Sequence, residues 1–155
     1  MENVSLSDKR LIDSNVLVYA YAERSAARED ALDVMETEIT LGRGVLSTQN
    51  LAEFGNLARH KHGRELSAAG ARQVVNDLAD MLDVVSYSHA TVSSALEISE
   101  SYGVHFFDAL LVATMREHGI TTILTEDTGD FGKIPGLTVI NPFEKNKRAR
   151  RASKP

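Results

Sequence analysis

Short apolar runs alternate with longer helical patterns along the whole chain, and this order predicts the fold. Five short runs are rich in aliphatic or β-branched side chains: Arg10–Ile12, Val45–Ser47, Val84–Val85, Thr121–Thr125 and Leu137–Ile140. Apolar residues recur at helical spacing between them. Strands that alternate with helices are typical of an α/β fold, so we expect a small, mostly parallel sheet flanked by helices on both faces.

The helical patterns have recognisable beginnings and ends. Ser14 or Asn15 is a plausible cap for the first helix, Thr48 for the third, and Gly63 and Gly119 are placed to end the third and last helices. The stretch "DTGDFGKIPG" reads as a loop. The predicted helices are Val16–Ala22, Ala27–Thr40, Thr48 to about His60, Ser67–Met81, Ser88–Tyr102 and Phe106–His118.

The composition is that of one globular domain, expected over residues 1–143. A chain of 155 residues with 43% hydrophobic and 25% charged residues can bury a core. It has no cysteine, which excludes disulfides and thiolate chemistry. No secretory leader or membrane-spanning run is visible, so we expect a cytoplasmic protein with no membrane partner.

The charge is unevenly distributed. The tail, residues 144–155, carries six Lys or Arg side chains after Glu144, and removing them from the net charge of −5 leaves −11 for residues 1–144. A basic tail on an acidic body predicts either a disordered solubilising end or an electrostatic arm for nucleic acid.

Four acids are placed where they could converge. Asp13 follows the first strand and Asp127 lies just beyond the fourth, so both belong to the carboxyl edge of a parallel sheet, where ligands bind. Glu53 lies in the helix that begins at that edge, and Asp108 begins another helix near it. Nearby Lys or Arg partners are not evident in the sequence around them.

Asp108 raises a question of its own. It heads a stripe that continues through Leu111, Val112 and Met115, which should face the core. A buried carboxylate without a partner costs several kcal/mol. Clustered carboxylates either protonate in part or recruit a cation, and oxygen-only ligands suit Mg²⁺ or Mn²⁺. A hydrated metal ion is therefore the expected partner.

Each acid also has an ordinary structural explanation. Asp13 or Asp108 could cap a helix, and Glu53 could face solvent because its helical neighbours are polar. Asp127 and Asp130 flank a Thr-Gly pair, and aspartates are common in such turns. Aromatic residues make up only 6% and do not alternate with basic ones, so no base-stacking platform is expected.

The motifs "LIDSNVLVYAYA", "STQNLAEF", "FFDALLVATMREHG", "ILTEDTGDF" and "LTVINPF", taken in order, resemble PIN-domain nucleases, and more narrowly the VapC-type toxins of bacterial toxin–antitoxin pairs. The resemblance spans about Arg10 to Phe143. It implies a Mg²⁺- or Mn²⁺-dependent endoribonuclease that hydrolyses RNA phosphodiester bonds, forms a homodimer and pairs with a cognate antitoxin.

The resemblance also assigns residues. The implied catalytic and metal-binding acids are Asp13, Glu53, Asp108 and Asp127, with Asn15, Thr125 and Asp130 in supporting positions. The basic tail is not part of the family pattern.

Two other classes remain open. A phosphate-handling α/β domain of the receiver or phosphohydrolase kind would have a second Asp where Asn15 stands and a Lys near the last strand, for which Lys133 is a doubtful candidate. A catalytically silent binding module could keep the fold for partner recognition, although the full set of four acids argues against it.

Overall fold

The computed structural model describes residues 5, 8–60 and 66–144, and in them the chain forms an alternating α/β structure. The strands are β1 (Arg10–Ile12), β2 (Gly44–Ser47), β3 (Asp83–Val85), β4 (Thr122–Leu124) and β5 (Thr138–Ile140). The helices are α1 (Ser14–Tyr21), α2 (Arg28–Thr40), α3 (Thr48–His60), α4 (Ala68–Met81), α5 (His89–Tyr102), α6 (Phe106–Glu117) and α7 (Thr128–Phe131).

The five strands form one sheet in the order β3-β2-β1-β4-β5, and every neighbouring pair is parallel. Leu11 of β1 lies opposite Val45 of β2 on one side and Ile123 of β4 on the other. The prediction of a mostly parallel sheet is confirmed. Since parallel strands need crossover connections, the helices between them cover both faces of the sheet.

Alternation along the strands divides the core into two layers. Leu11, Val45 and Ile123 face one layer, which is completed mainly by α5 and α6. Their neighbours Ile12 and Leu46 face the other layer, which is completed by α1 to α4. Successive side chains of a strand point to opposite faces, so three-residue strands supply both layers.

The approach of α2 and α4 to the sheet is close at Gly44. A β-carbon at this position would lie 2.7 Å from Leu82 Cδ2 and 3.1 Å from the β-carbon of Glu38. Glu38 itself is buried, and its carboxylate is bound through two hydrogen bonds by the Arg43 guanidinium, at 2.6 and 2.9 Å, with Arg10 3.6 Å away. This ion pair anchors α2 beside the first strands.

Two predicted helix caps are wrong, and one loop is partly helical. The side chain of Asp13, rather than Ser14 or Asn15, caps α1 by accepting the Ser14 amide. At α3, Ser47 rather than Thr48 accepts the amide of Asn50, whose side chain in turn accepts the Ser47 amide. This is the reciprocal bonding of a capping box.

Within "DTGDFGKIPG", predicted as loop, residues Thr128–Phe131 form the short helix α7. Phe131 is buried, so a tertiary contact stabilises this single turn. The predicted helix end at Gly63 and the basic tail from residue 145 onwards lie outside the described residues. In the parts of the chain that the structure does describe, no helix has the length and apolar character needed to cross a membrane.

Candidate functional site

The order of the strands creates a switch point at the centre of the sheet. From β1 the chain continues to β2 on one side, whereas β4 pairs with β1 on the other. In open α/β sheets, ligands bind beyond the carboxyl ends of the strands at such a point. Asp13 directly follows β1, and Thr125 to Asp127 directly follow β4. The topology therefore brings these residues to the expected location of a ligand.

Asp13 is the most constrained of the acids. It is 8% exposed, and its Oδ1 accepts the Ser14 amide at 2.7 Å. Its Oδ2 accepts the Thr125 hydroxyl at 2.7 Å and the Asn15 amide nitrogen at 2.9 Å. Burial raises the pKa of Asp13, the Thr125 and Ser14 hydrogen bonds oppose this rise, and repulsion by Glu53 adds to it.

Asn15 and Thr125 complete this network across the switch point. Thr125 is fully buried, and its hydroxyl oxygen accepts the Asn15 side-chain nitrogen at 3.1 Å and the Asp127 amide at 3.0 Å. The Asn15 side-chain oxygen accepts the Glu126 amide at 3.4 Å. Both residues that the resemblance places in support thus contact Asp13 directly, and they tie β1 to the segment after β4.

Glu53 lies beside Asp13 rather than facing solvent alone. The Ser14 hydroxyl donates to Glu53 Oε2 at 2.7 Å, and Gln49 Nε2 donates to Oε1 at 2.9 Å. Ser14 has a single hydroxyl proton, so its weaker 3.3 Å contact with Asp13 Oδ1 competes with the bond to Glu53. Asp13 Oδ1 therefore keeps acceptor capacity on the side of Glu53.

Asp108 is half-buried, so the expectation that it faces the core is wrong, whereas Leu111, Val112 and Met115 are buried as predicted. It lies in the first turn of α6, whose cap is His105 and not Asp108. Burial raises the pKa of Asp108 to about 6, and the charges of Asp127, Asp13 and Asp130 raise it further, while His105 opposes them. These couplings show that the four aspartates share one electrostatic site.

The two aspartates after β4 have different surroundings. Asp127 caps α7 by accepting the Gly129 amide at 3.1 Å, as its turn-like sequence indicates. Asp130 accepts the Lys133 ammonium at 2.6 Å and the His105 amide at 2.9 Å. The hydrogen bond from Lys133, followed by that from His105, lowers the pKa of Asp130. Asp130 therefore joins α7 to the start of α6 and carries its own counter-charge.

Negative charge at the site exceeds the available counter-charge. No ion pair between described residues involves Asp13, Glu53, Asp108 or Asp127. No three His, Asp or Glu side chains in the described ranges are grouped so that they could hold a metal ion. Mg²⁺ keeps several waters and usually binds through one or two carboxylates. The residues therefore fit a hydrated ion better than a dry cage of four carboxylates.

Sequence reasoning missed several residues that shape the site. Ser14 was considered only as a cap, and Gln49 only as a polar neighbour, although Gln49 precedes Glu53 by four residues, the spacing at which helical side chains meet. The Tyr19 hydroxyl donates to Glu126, which raises the pKa of Tyr19 to about 12. Tyr19 lies one helical turn beyond Asn15, and that spacing was the available indication.

Several solved structures share this fold. A toxin–antitoxin complex from Klebsiella pneumoniae matches at 21% identity with a TM-score of 0.65, covering 88% of this chain and 99% of that one. Mycobacterium tuberculosis VapC20, described as a sarcin-ricin loop cleaving toxin, matches at 18% identity with a TM-score of 0.66, covering 79% and 92%. DNA-bound VapBC from Salmonella typhimurium matches at 17% identity with a TM-score of 0.65, covering 86% and 98%.

These identities establish a shared fold. No curated protein sequence matches the chain significantly. The family model of the PIN domain matches residues 10–137, which is most of the chain and includes every acid described above. With the parallel sheet and the switch-point acids in place, this match shows that the chain belongs to the PIN-domain family.

Proposed function

We propose that this protein is a metal-dependent endoribonuclease that hydrolyses RNA phosphodiester bonds and acts as the toxin of a toxin–antitoxin pair. The observation that carries the proposal is the convergence of carboxylates at the switch point, where no ion pair within the described residues involves Asp13, Glu53, Asp108 or Asp127. A site with excess negative charge is suited to a divalent cation and a phosphate. VapC20, which shares the fold, is described as a toxin that cleaves RNA in the sarcin-ricin loop.

The residues that would hold Mg²⁺ or Mn²⁺ are Asp13, Glu53, Asp108 and Asp127. A bound ion supplies a water of lowered pKa and stabilises the charge that develops on the scissile phosphate. Asp13 has the most defined geometry, because three protein donors fix its carboxylate in one orientation. Its Oδ1 keeps acceptor capacity towards Glu53, where a water or cation could be bound.

The roles of the other side chains follow from their hydrogen bonds. Thr125 and Asn15 hold Asp13 and the segment leading to Asp127, so they keep carboxylates from two strands in register. Ser14 and Gln49 orient the two oxygens of Glu53. Asp108, whose pKa of about 6 is the highest printed among the acids, changes protonation most readily near neutral pH and would be ionised fully by a cation.

The proposed partners are an RNA substrate, a cognate antitoxin and a second copy of the chain in a homodimer, all in the cytoplasm. Three structures with this fold carry titles that name toxin–antitoxin assemblies or a toxin. The receiver or phosphohydrolase alternative gains no support. Asn15 donates to Asp13 instead of adding a carboxylate, and Lys133 is paired with Asp130.

The test is cleavage of labelled RNA by the purified full chain with Mg²⁺, with Mn²⁺ or with chelator. Asp13→Asn keeps the size of the side chain and removes its charge. We expect it to reduce cleavage about 100-fold or more, since even the outer partners of metal ligands typically contribute 10- to 100-fold. Asp83→Asn is the matched control, because Asp83 is an exposed acid at the amino end of β3.

Two results would contradict the proposal. One is cleavage by Asp13→Asn at the wild-type rate in a sample shown to be folded by circular dichroism. The other is wild-type cleavage that is unchanged by chelator. A catalytically silent module would show no metal-dependent cleavage with any RNA, and it would still bind its partner.

A further inference from the structure

Three aromatic rings lie at the start of α6, directly before Asp108. They belong to His105, Phe106 and Phe107. Phe107 is 52% exposed, although a phenylalanine is more often buried, and its neighbour in sequence is one of the proposed catalytic acids. The composition predicted no stacking platform, because aromatic and basic residues do not alternate. The structure places aromatic rings beside acids instead.

The exposed ring is held in a defined position. Phe106 packs against the core, and its ring meets the Phe107 ring at 68° with centroids 5.4 Å apart. On the other side, the His105 ring lies 5.9 Å from that of Phe107 at 33°. Rigid aromatic side chains lose little entropy on contact with a ligand. Phe107 is therefore a pre-organised apolar surface.

Hydrogen bonds connect this surface to the acids on both sides. Gln49 Nε2 donates to the Phe107 carbonyl at 2.8 Å and also to Glu53 Oε1 at 2.9 Å. The His105 amide donates to Asp130 Oδ2 at 2.9 Å. The aromatic residues thus lie within one side chain of Glu53 and one hydrogen bond of Asp130. A nucleotide whose phosphate reached the acids would have its base within reach of the rings.

We propose that Phe107, with the His105 ring beside it, is a stacking surface for an unpaired base next to the scissile phosphate. This inference rests on the proposed ribonuclease function and names the substrate class as single-stranded or looped RNA. Unstacked bases bind aromatic side chains in sequence-tolerant fashion, whereas bases inside a duplex do not expose their faces.

The electrostatics of the site give this contact a purpose. The acids that attract a cation repel the phosphates of a substrate, and residues 1–144 carry a net charge of −11. Stacking on an uncharged ring is attractive whatever the sign of the nearby charges. It therefore favours substrate binding without adding a cation that would compete with the metal for the carboxylates.

The experiment compares Phe107→Leu with Phe107→Tyr. Leucine keeps apolar volume and helix propensity but removes the aromatic face, whereas tyrosine keeps the face. In Mn²⁺, Phe107→Leu should raise the KM for a single-stranded substrate about 10-fold with little change in kcat, and Phe107→Tyr should behave as wild type. Leu96→Ala is the control, because Leu96 is an equally exposed apolar residue on α5, at 59%.

A scan of abasic positions along the same strand locates the contact. Wild type should lose affinity when one base beside the cleaved bond is missing, and Phe107→Leu should be insensitive at that position. Anisotropy of the labelled strand in chelator reports binding separately from cleavage. The mutation leaves the Phe107 carbonyl and its hydrogen bond in place, so a general loss of folding is not expected.

The outcomes separate this inference from the proposed function. Wild type that cleaves RNA, together with equal KM values and identical abasic profiles for Phe107→Leu, would overturn the stacking surface and leave the nuclease intact. Absence of any metal-dependent cleavage by wild type would remove the proposed function itself. Unchanged RNA binding combined with weakened self-association or antitoxin binding in Phe107→Leu would assign the ring to a protein interface and also overturn the inference.

Discussion

Replacing Asp108 with Asn should stabilise the protein in the absence of metal. The pKa of Asp108 is about 6 in the folded protein, through burial and then repulsion by Asp127, Asp13 and Asp130, against 3.8 for the ordinary side chain. An acid whose folded-state pKa is raised contributes stability that is complete below 3.8 and is lost as the pH rises through 6. At pH 7.5 the ionised carboxylate therefore destabilises the fold, and a neutral amide does not.

The magnitude follows from the pKa difference. About two pKa units at about 1.36 kcal/mol each amount to roughly 3 kcal/mol for a fully buried group. Asp108 is half-buried, and solvent screening reduces this to about 1.5 kcal/mol. At ~2–4 °C per kcal/mol for a chain of this size, Asp108→Asn should raise the Tm by about 3–6 °C at pH 7.5.

Calorimetric or fluorescence melting in chelator, at pH 7.5 and at pH 5, measures the effect. The gain in stability should fall by about half at pH 5, because the folded wild type is then largely protonated while the unfolded chain is still ionised. Asp130→Asn is the matched control. Its pKa is lowered by Lys133 and the His105 amide, so a neutral side chain there should give no stabilisation.

Metal should reverse the order of stability. Wild type at 100 times the dissociation constant of Mn²⁺ gains about 2.7 kcal/mol, and Asp108→Asn should gain less because it lacks one carboxylate. Equal Tm values for wild type and Asp108→Asn at pH 7.5 in chelator would refute the electrostatic reasoning. A gain that does not change between pH 7.5 and pH 5 would refute it as well, since the cause would then be packing.

Three further outcomes are expected. Thr125→Val, which removes a buried donor to Asp13, should lower the free energy of unfolding by about 1–3 kcal/mol in urea and raise the pKa of Asp13 further, seen as a shifted pH–rate profile. Arg43→Leu leaves Glu38 buried with only a second guanidinium 3.6 Å away, so urea unfolding should show a loss of ~3 kcal/mol that Glu38→Leu in the same chain largely restores. A chain truncated to residues 1–144 loses six cations and should bind RNA more weakly with a flatter salt dependence but unchanged cleavage of bound RNA; identical affinities and salt slopes would exclude an RNA role for the tail.

The sequence by itself determined the order of the elements and the edge at which the acids meet. Hydrophobic periodicity is a local property, and it assigned Leu11 and Ile12 to opposite faces of a strand because side chains alternate along β-structure. The position of Asp13 after β1 and of Asp127 after β4 placed both at the carboxyl edge once the sheet was parallel.

Tertiary structure decided how these acids are held. The bond from Ser14 to Glu53 spans 39 positions, and that from Thr125 to Asp13 spans 112, so no local pattern contains either pair. The half-burial of Asp108 depends on how α6 meets the segments after β1 and β4, which its own apolar stripe does not specify.

The same distinction applies to the ends of helices and to the aromatic rings. Ser47 and Thr48 are both good caps by residue type, and only the path of the chain out of β2 selects Ser47. Phe107 is apolar and so was expected among core residues, yet the turn that begins α6 leaves its ring exposed beside the acids. Residue type determines which contacts a side chain can make, whereas packing between distant segments determines which of them form.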